Sequence, residues 1–191
     1  MSKWDGIEAP QGQGSFLKLE NGENKIRLVS IFEPRGTHFI QGEKKSYPCI
    51  GKEQCFYCQQ GLEPNVKYLV HVIDRKNGKF KLAELGYSVI SQLKEFRTNS
   101  DYAFDEIPPY DITILKKGES LKTEYTVIPA RTNVLLTAAE TEEVSKLKSL
   151  EDFVEADKKK RGRFNSILQA QPEEQIPPYD PYGDLPPNFL K

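Results

Sequence analysis

Along Lys25-Ile26-Arg27-Leu28-Val29-Ser30-Ile31, Ile26 and Leu28 alternate with charged neighbours, the period of a strand with one buried face. Val66-Lys67-Tyr68-Leu69-Val70-His71-Val72-Ile73-Asp74 is a longer run of β-branched and aromatic residues and predicts a central strand. Arg75-Lys76-Asn77-Gly78-Lys79 then supplies an Asn-Gly turn, and alternation resumes from Phe80 to Leu85, so the two strands are expected to pair as an antiparallel hairpin. A second hairpin is predicted by Tyr110 to Leu115 and Thr123 to Ile128, which flank the turn-forming Lys116-Lys117-Gly118-Glu119-Ser120. Between the hairpins, Val89, Leu93 and Phe96 follow helical spacing, with Ser88 as a cap, and predict a helix over 87–96. Residues 141–150 and 151–156 read as short amphipathic helices. At least five strands around one helix predict a mainly β protein, a small closed barrel with the OB type among the alternatives.

Composition divides the chain. Its 191 residues are 37% apolar, enough for one packed domain with extensions but low for a chain that is all core. Residues 166–191 are rich in proline and acid and poor in aliphatics, and are expected to form a flexible tail. Residues 1–14 read as an N-terminal extension, leaving 15–165 as the folded body. The net charge of −1 hides an asymmetry: residues 1–14 carry −1 and residues 166–191 carry −3, so the body holds +3. No run approaches the ~20 apolar residues of a membrane span, and a soluble, cytoplasmic protein without membrane partners is expected.

Chemistry concentrates in one place. All three cysteines and one of the two histidines, His38, Cys49, Cys55 and Cys58, fall within 21 residues. Thiolate and imidazole are the ligands tetrahedral zinc prefers, and Cys55-Phe56-Tyr57-Cys58 has the short bite of a zinc knuckle. Three cysteines cannot all pair within one chain, and Met1-Ser2-Lys3-Trp4 does not resemble a secretory signal, which argues against a disulfide framework. A thioredoxin-like redox pair would need a strand before it and a helix after, whereas residues 47–54 read as loop. Structural zinc is therefore expected, in a subdomain at 36–62, with free or redox thiols the competing readings. Four protein ligands leave no open position for a catalytic water, and His71 is read as a core or interface histidine.

The order of motifs resembles the zinc-containing single-stranded-DNA-binding proteins of tailed bacteriophages, the helix-destabilising proteins of T-even phages among them. It rests on the Lys25-Ile26-Arg27-Leu28 strand, the His, Cys, Cys, Cys order, the Tyr68 to Arg75 strand, and the block from Tyr110 to Pro129. The resemblance implies an OB-fold with an inserted zinc subdomain, DNA in the cleft between them, and work in replication, recombination and repair. Those phage proteins carry a basic N-terminal arm for cooperative binding; residues 1–14 here are not basic, so cooperativity does not carry over.

Sequence-independent binding of a single strand needs cations that track phosphates and aromatic rings on which bases stack. The candidates are Arg27, Arg35, Lys44, Lys45, Tyr47, Tyr57, Lys67, Arg75, Lys81 and Tyr125. Phe39, Phe56 and Tyr57 have a second reading as packing for a small zinc lobe. The tail, from Ile176 to Leu190, mixes acids, aromatics and prolines and is read as a contact for replication or recombination proteins. The competing function is a zinc-containing transcription or assembly adaptor acting through protein contacts. An enzyme is not expected, because no nucleophile elbow, phosphate loop or metal-catalytic motif is present.

Overall fold

The protein is described by a computed structural model over residues 16–42, 44–119 and 122–169, backbone only over 160–169. The N-terminal extension over 1–14, with Trp4, and the expected tail beyond Gln169 lie outside the described residues. Seven strands, β1 (Gly22–Leu28), β2 (Glu33–Ile40), β3 (Lys45–Pro48), β4 (Asn65–Asp74), β5 (Lys79–Leu85), β6 (Ile112–Lys117) and β7 (Glu124–Pro129), form one antiparallel sheet. Its order is β3-β2-β4-β1-β6-β7, with β5 paired to β4. Among the described residues, four helices accompany it: α1 (Phe56–Gln59), α2 (Tyr87–Thr98), α3 (Ala138–Ser145) and α4 (Leu150–Gln169).

Strand β4 organises the sheet. β5 pairs with it from Tyr68↔Leu85 to Asp74↔Lys79. Its other edge serves two strands, β2 over Asn65 to Leu69 and β1 over Val72 to Asp74. Thus β1 and β2 follow one another along a single edge, interrupted at 29–32, where the His71 N–H donates to Ser30 Oγ and the Val29 N–H to the His71 carbonyl. The alternation in β1, β4, β5, β6 and β7 points Ile26, Leu28, Val70, Val72, Ala83, Leu85, Ile112, Ile114 and Val127 to one side, where Val89, Ile90 and Leu93 of α2 close the core. A smaller cluster joins Leu69 and Leu82 to Leu150 and Val154 of α4.

The expected closed barrel is not what the described strands form. They make an open sheet, with no ladder between β5 and β7 among the described residues. At the free edge of β7 a side chain does a strand's work: Gln92 Nε2 donates to the Tyr125 carbonyl (2.9 Å), and Gln92 Oε1 accepts from the Val127 N–H (2.8 Å). An amide has the donor and acceptor a ladder needs, so α2 caps the edge that barrel closure would otherwise cover. Beyond β7, the short helix expected at 151–156 is the opening of a helix that runs to Gln169, through the basic run at 158–163 and past the expected domain boundary at 166.

Replacing Gln92 with Ala strands one N–H and one carbonyl on β7 and is expected to lower stability by about 1–3 kcal/mol in urea unfolding. Gln92→Glu, which keeps the acceptor and loses the donor, is expected to fall between Ala and wild type.

Candidate metal centre and nucleic-acid interface

The four expected ligands converge. One donor atom from each of His38, Cys49, Cys55 and Cys58 lies within 4.8 Å of all the others. Cys49 Sγ is 3.5 Å from Cys58 Sγ, and His38 Nε2 is 3.4 Å from both Cys55 Sγ and Cys58 Sγ. A tetrahedral zinc at ordinary bond lengths requires edges of about 3.8 Å between sulfurs and about 3.6 Å between sulfur and nitrogen. The donor set and its spacing therefore fit a metal such as zinc, which when bound supplies four bonds tying β2, the segment after β3 and α1 together.

Local sequence makes this convergence possible. His38 sits on β2 opposite Tyr47 of β3, and Cys49 follows β3 directly, its N–H donating to the Gly36 carbonyl (2.8 Å). A Cβ on Gly36 would stand 3.1 Å from Cys49 Cβ and 3.4 Å from Pro64 Cβ, so a side chain here crowds the passage of β2 beside Cys49. Gly51, at φ +113°, turns the chain so that its carbonyl accepts from the Cys55 N–H (2.9 Å), leaving Cys55 at the start of α1 and Cys58 inside it.

Electrostatics favours a cation here. Burial holds His38 below its ordinary value, which keeps the imidazole neutral, as a ligand must be. Burial works to raise Cys55, but hydrogen bonds from the backbone of Cys58, Ile50 and Tyr57 bring it below the usual thiol range. Burial, then the neighbouring sulfurs of Cys49 and Cys55, push Cys58 up to about 12, a crowding of like groups that a dication relieves. His38 Nδ1 is buried and makes no hydrogen bond. The ring is instead held by Tyr57, its centroid 5.5 Å away, which also stacks on Tyr47 at 5.5 Å and 25°.

The expected phosphate contacts divide into two groups. Arg27 is 4% exposed; it pairs with Asp111 (3.5 Å) and donates to the Val134 carbonyl. Arg75 joins the same carboxylate (3.0 Å) and also holds Glu140, and Lys25 approaches Asp111 at 3.7 Å. Burial lowers Arg27 against the pull of Asp111, whereas hydrogen bonds to Glu140 and Asp111 overcome burial and raise Arg75. Arg35 spans Glu84 of β5 and Asp157 of α4 (2.5 Å). Lys81 pairs with Asp74 at 2.7 Å. Burial would raise Asp74, and Lys81 with the Lys76 N–H holds its carboxyl below the usual range instead. These four cations bind the fold to itself, and Tyr125 packs against the main core.

Lys44 and Lys45 are exposed at the β2–β3 turn, and Lys67 is half-buried where β4 meets the lobe, opposite Arg35. None of the three forms an ion pair among the described residues. Two further rings are exposed: Phe39, weighed in the sequence as packing for the lobe, and Tyr87, which was not a candidate. Phe39, 61% exposed, is one residue from the Ile40↔Lys45 pair. Tyr87, 59% exposed, opens α2 beside Gly86, whose Cβ position lies 3.8 Å from Lys67 Nζ, and Lys94 Nζ stands 5.7 Å from its ring centroid. The signal for Tyr87 was its place at the first turn of a helix whose buried stripe is Val89, Ile90 and Leu93, which leaves position 87 outside.

Chelation, or Cys58→Ala, is expected to raise hydrogen exchange across 36–62 while the β4–β5 hairpin stays protected, and Gly36→Val, which replaces no ligand but crowds Cys49, is expected to do the same. The capping box of α3 gives a pH dependence. Hydrogen bonding to the Thr137 backbone, and then Arg75, hold Glu140 below its ordinary 4.5. A folded-state value below the unfolded one stabilises above about pH 4.5 and loses that stabilisation as pH falls through the folded value. Glu140→Gln is thus expected to lower the thermal midpoint at pH 7 and to flatten its decline below pH 4.5.

No family model matches the chain, and no solved structure matches it. The chain is similar to a protein of Escherichia phage T5 named a probable ssDNA-binding protein, 28% identical over 141 residues that cover 59% of this chain and 53% of that protein. It spans about half the length of this relative. The resemblance to phage single-stranded-DNA-binding proteins drawn from the motif order is thus met by a relative of that description.

Proposed function

We propose that the protein binds single-stranded DNA without regard to sequence. The T5 relative, named a probable ssDNA-binding protein, is the observation that carries this reading. Chemistry of the right kind supports it: exposed Phe39, Lys44 and Lys45 on the lobe, and exposed Tyr87 with Lys94 on α2, where Lys67 reaches Gly86. Rings offer a face to any base, and lysines follow phosphates without reading base edges. The order β5-β4-β1-β6-β7, with a helix in the β5 to β6 connection, is that of an OB sheet whose closing contact is replaced by α2. Zinc is the metal of the lobe, a staple that fixes one wall of the cleft. On this reading the protein covers and protects single strands during phage DNA replication, recombination and repair in the host cytoplasm, and the C-terminal tail contacts proteins of those processes.

A band shift with labelled oligo-dT against duplex DNA is expected to show strong preference for the single strand, with log affinity falling against log salt by about 0.7 per phosphate contact. Tyr87→Ala and Phe39→Ala are each expected to cost about 1–3 kcal/mol of binding, the worth of one stacked base. Arg27→Lys, by contrast, is expected to act on stability before affinity. Equal neglect of both nucleic acids would overturn the proposal and favour a metal-stapled protein adaptor.

A further inference from the structure

By spacing, Cys55 and Cys58 are the natural pair for an oxidant, because Cys-x-x-Cys is the compact dithiol of redox proteins. The structure arranges the three thiols differently. Cys55 is fully buried, its sulfur against His38. Cys49 and Cys58 are half-buried, their sulfurs 3.5 Å apart, and both line an open cavity of about 290 Å³ whose other walls include Lys52, Leu62, Glu63 and Pro64. A water-sized or peroxide-sized molecule entering that cavity meets Cys49 and Cys58, with Cys55 behind them. A disulfide requires the two sulfurs to close by roughly 1.5 Å, to a bond of about 2.05 Å.

We propose that Cys49 and Cys58 form the oxidation-labile face of the lobe, a thiol modification site for two-electron oxidants of the peroxide class. One thiolate attacks the peroxide oxygen, the O–O bond breaks, and a sulfenic acid forms as hydroxide leaves and takes a proton to become water. The second thiolate attacks the sulfenic sulfur and displaces its hydroxide, which takes a proton from solvent and leaves as a second water. Two thiolates are oxidised to one disulfide, one peroxide is reduced to two waters, and a metal at the site loses two of its four ligands. The lobe, with little else to hold it, is thereby unfastened. This inference does not depend on what the protein binds.

The full-length protein, as purified, is treated with hydrogen peroxide and mapped by peptide mass spectrometry, with a chromophoric chelator reporting freed zinc. The expected product is a Cys49–Cys58 disulfide, with Cys55 alkylated only after denaturation and one zinc freed per disulfide. A predominant Cys55–Cys58 disulfide, or oxidation that starts at Cys55, overturns the proposal. Leu62→Trp, which fills the cavity mouth and changes no ligand, is expected to slow disulfide formation several-fold with an unchanged circular dichroism spectrum; an unchanged rate also overturns it.

Discussion

The shared edge of β4 is the constraint on which the rest of the structure depends. Leu28 pairs with Val72 and Glu33 with Leu69, so four residues on one side span two on the other. That excess splits what would have been one strand into β1, which closes the main core, and β2, which runs on beyond its pairing with β4 to pair with β3 and carries His38 to the candidate metal centre. The lobe is therefore a continuation of the sheet rather than an appended module. Arg35 then locks the junction, reaching Glu84 and Asp157 across three elements distant in sequence. A guanidinium suits that position because its planar fork serves two carboxylates at once.

What the lobe lacks explains what its ligands do. Between residues 36 and 62 the buried described positions are Thr37, His38, Pro48 and Cys55, and two of these four are ligands. So small an apolar surface cannot offset the entropy of ordering a hairpin, a turn and one helical turn. Four bonds to a metal held by His38, Cys49, Cys55 and Cys58 would, and the aromatic stack of Tyr47 on Tyr57 gives the assembly one packed side. The cost of that economy is that the lobe's integrity rests on the state of its sulfurs.

Much of this was legible from the chain. The runs read as strands at 66–74 and 80–85 are β4 and β5, and the helix expected over 87–96 is α2 with two further residues, because alternation and helical spacing are strong where one face meets a core. The metal quartet was legible because no other position competes for it. Strands β2 and β3 were not: residues 33–40 and 45–48 show no strand alternation, yet Pro34 is paired opposite Tyr68 and Gly36 lies where Cys49 passes close. Barrel closure was over-read, since nothing in Gln92 announces that a side chain will occupy a strand's place. The phosphate candidates were the least legible, because the acids that claim Arg27, Arg35 and Arg75 lie 36 to 122 residues away.

The division between the two kinds of cation has a physical logic. Each arginine on or beside β1, β2 and β4 is turned inward to carboxylates and carbonyls, while the described cations of the lobe, Lys44, Lys45 and Lys52, are exposed lysines; Arg97, near the end of α2, is an exposed arginine 3.8 Å from Asp105. Arginine keeps its charge when buried and spends its fork on fixed geometry, which is what bridges between strands and helices demand. A surface that must accept phosphates in any register gains nothing from a fixed fork and is better served by a hydrated point charge on a long stem. Counting arginines and lysines together as a basic patch therefore overstates how much charge reaches a ligand. The +3 of the body is an unevenly placed charge, set by which cations the acids at 74, 84, 111, 140 and 157 have already taken.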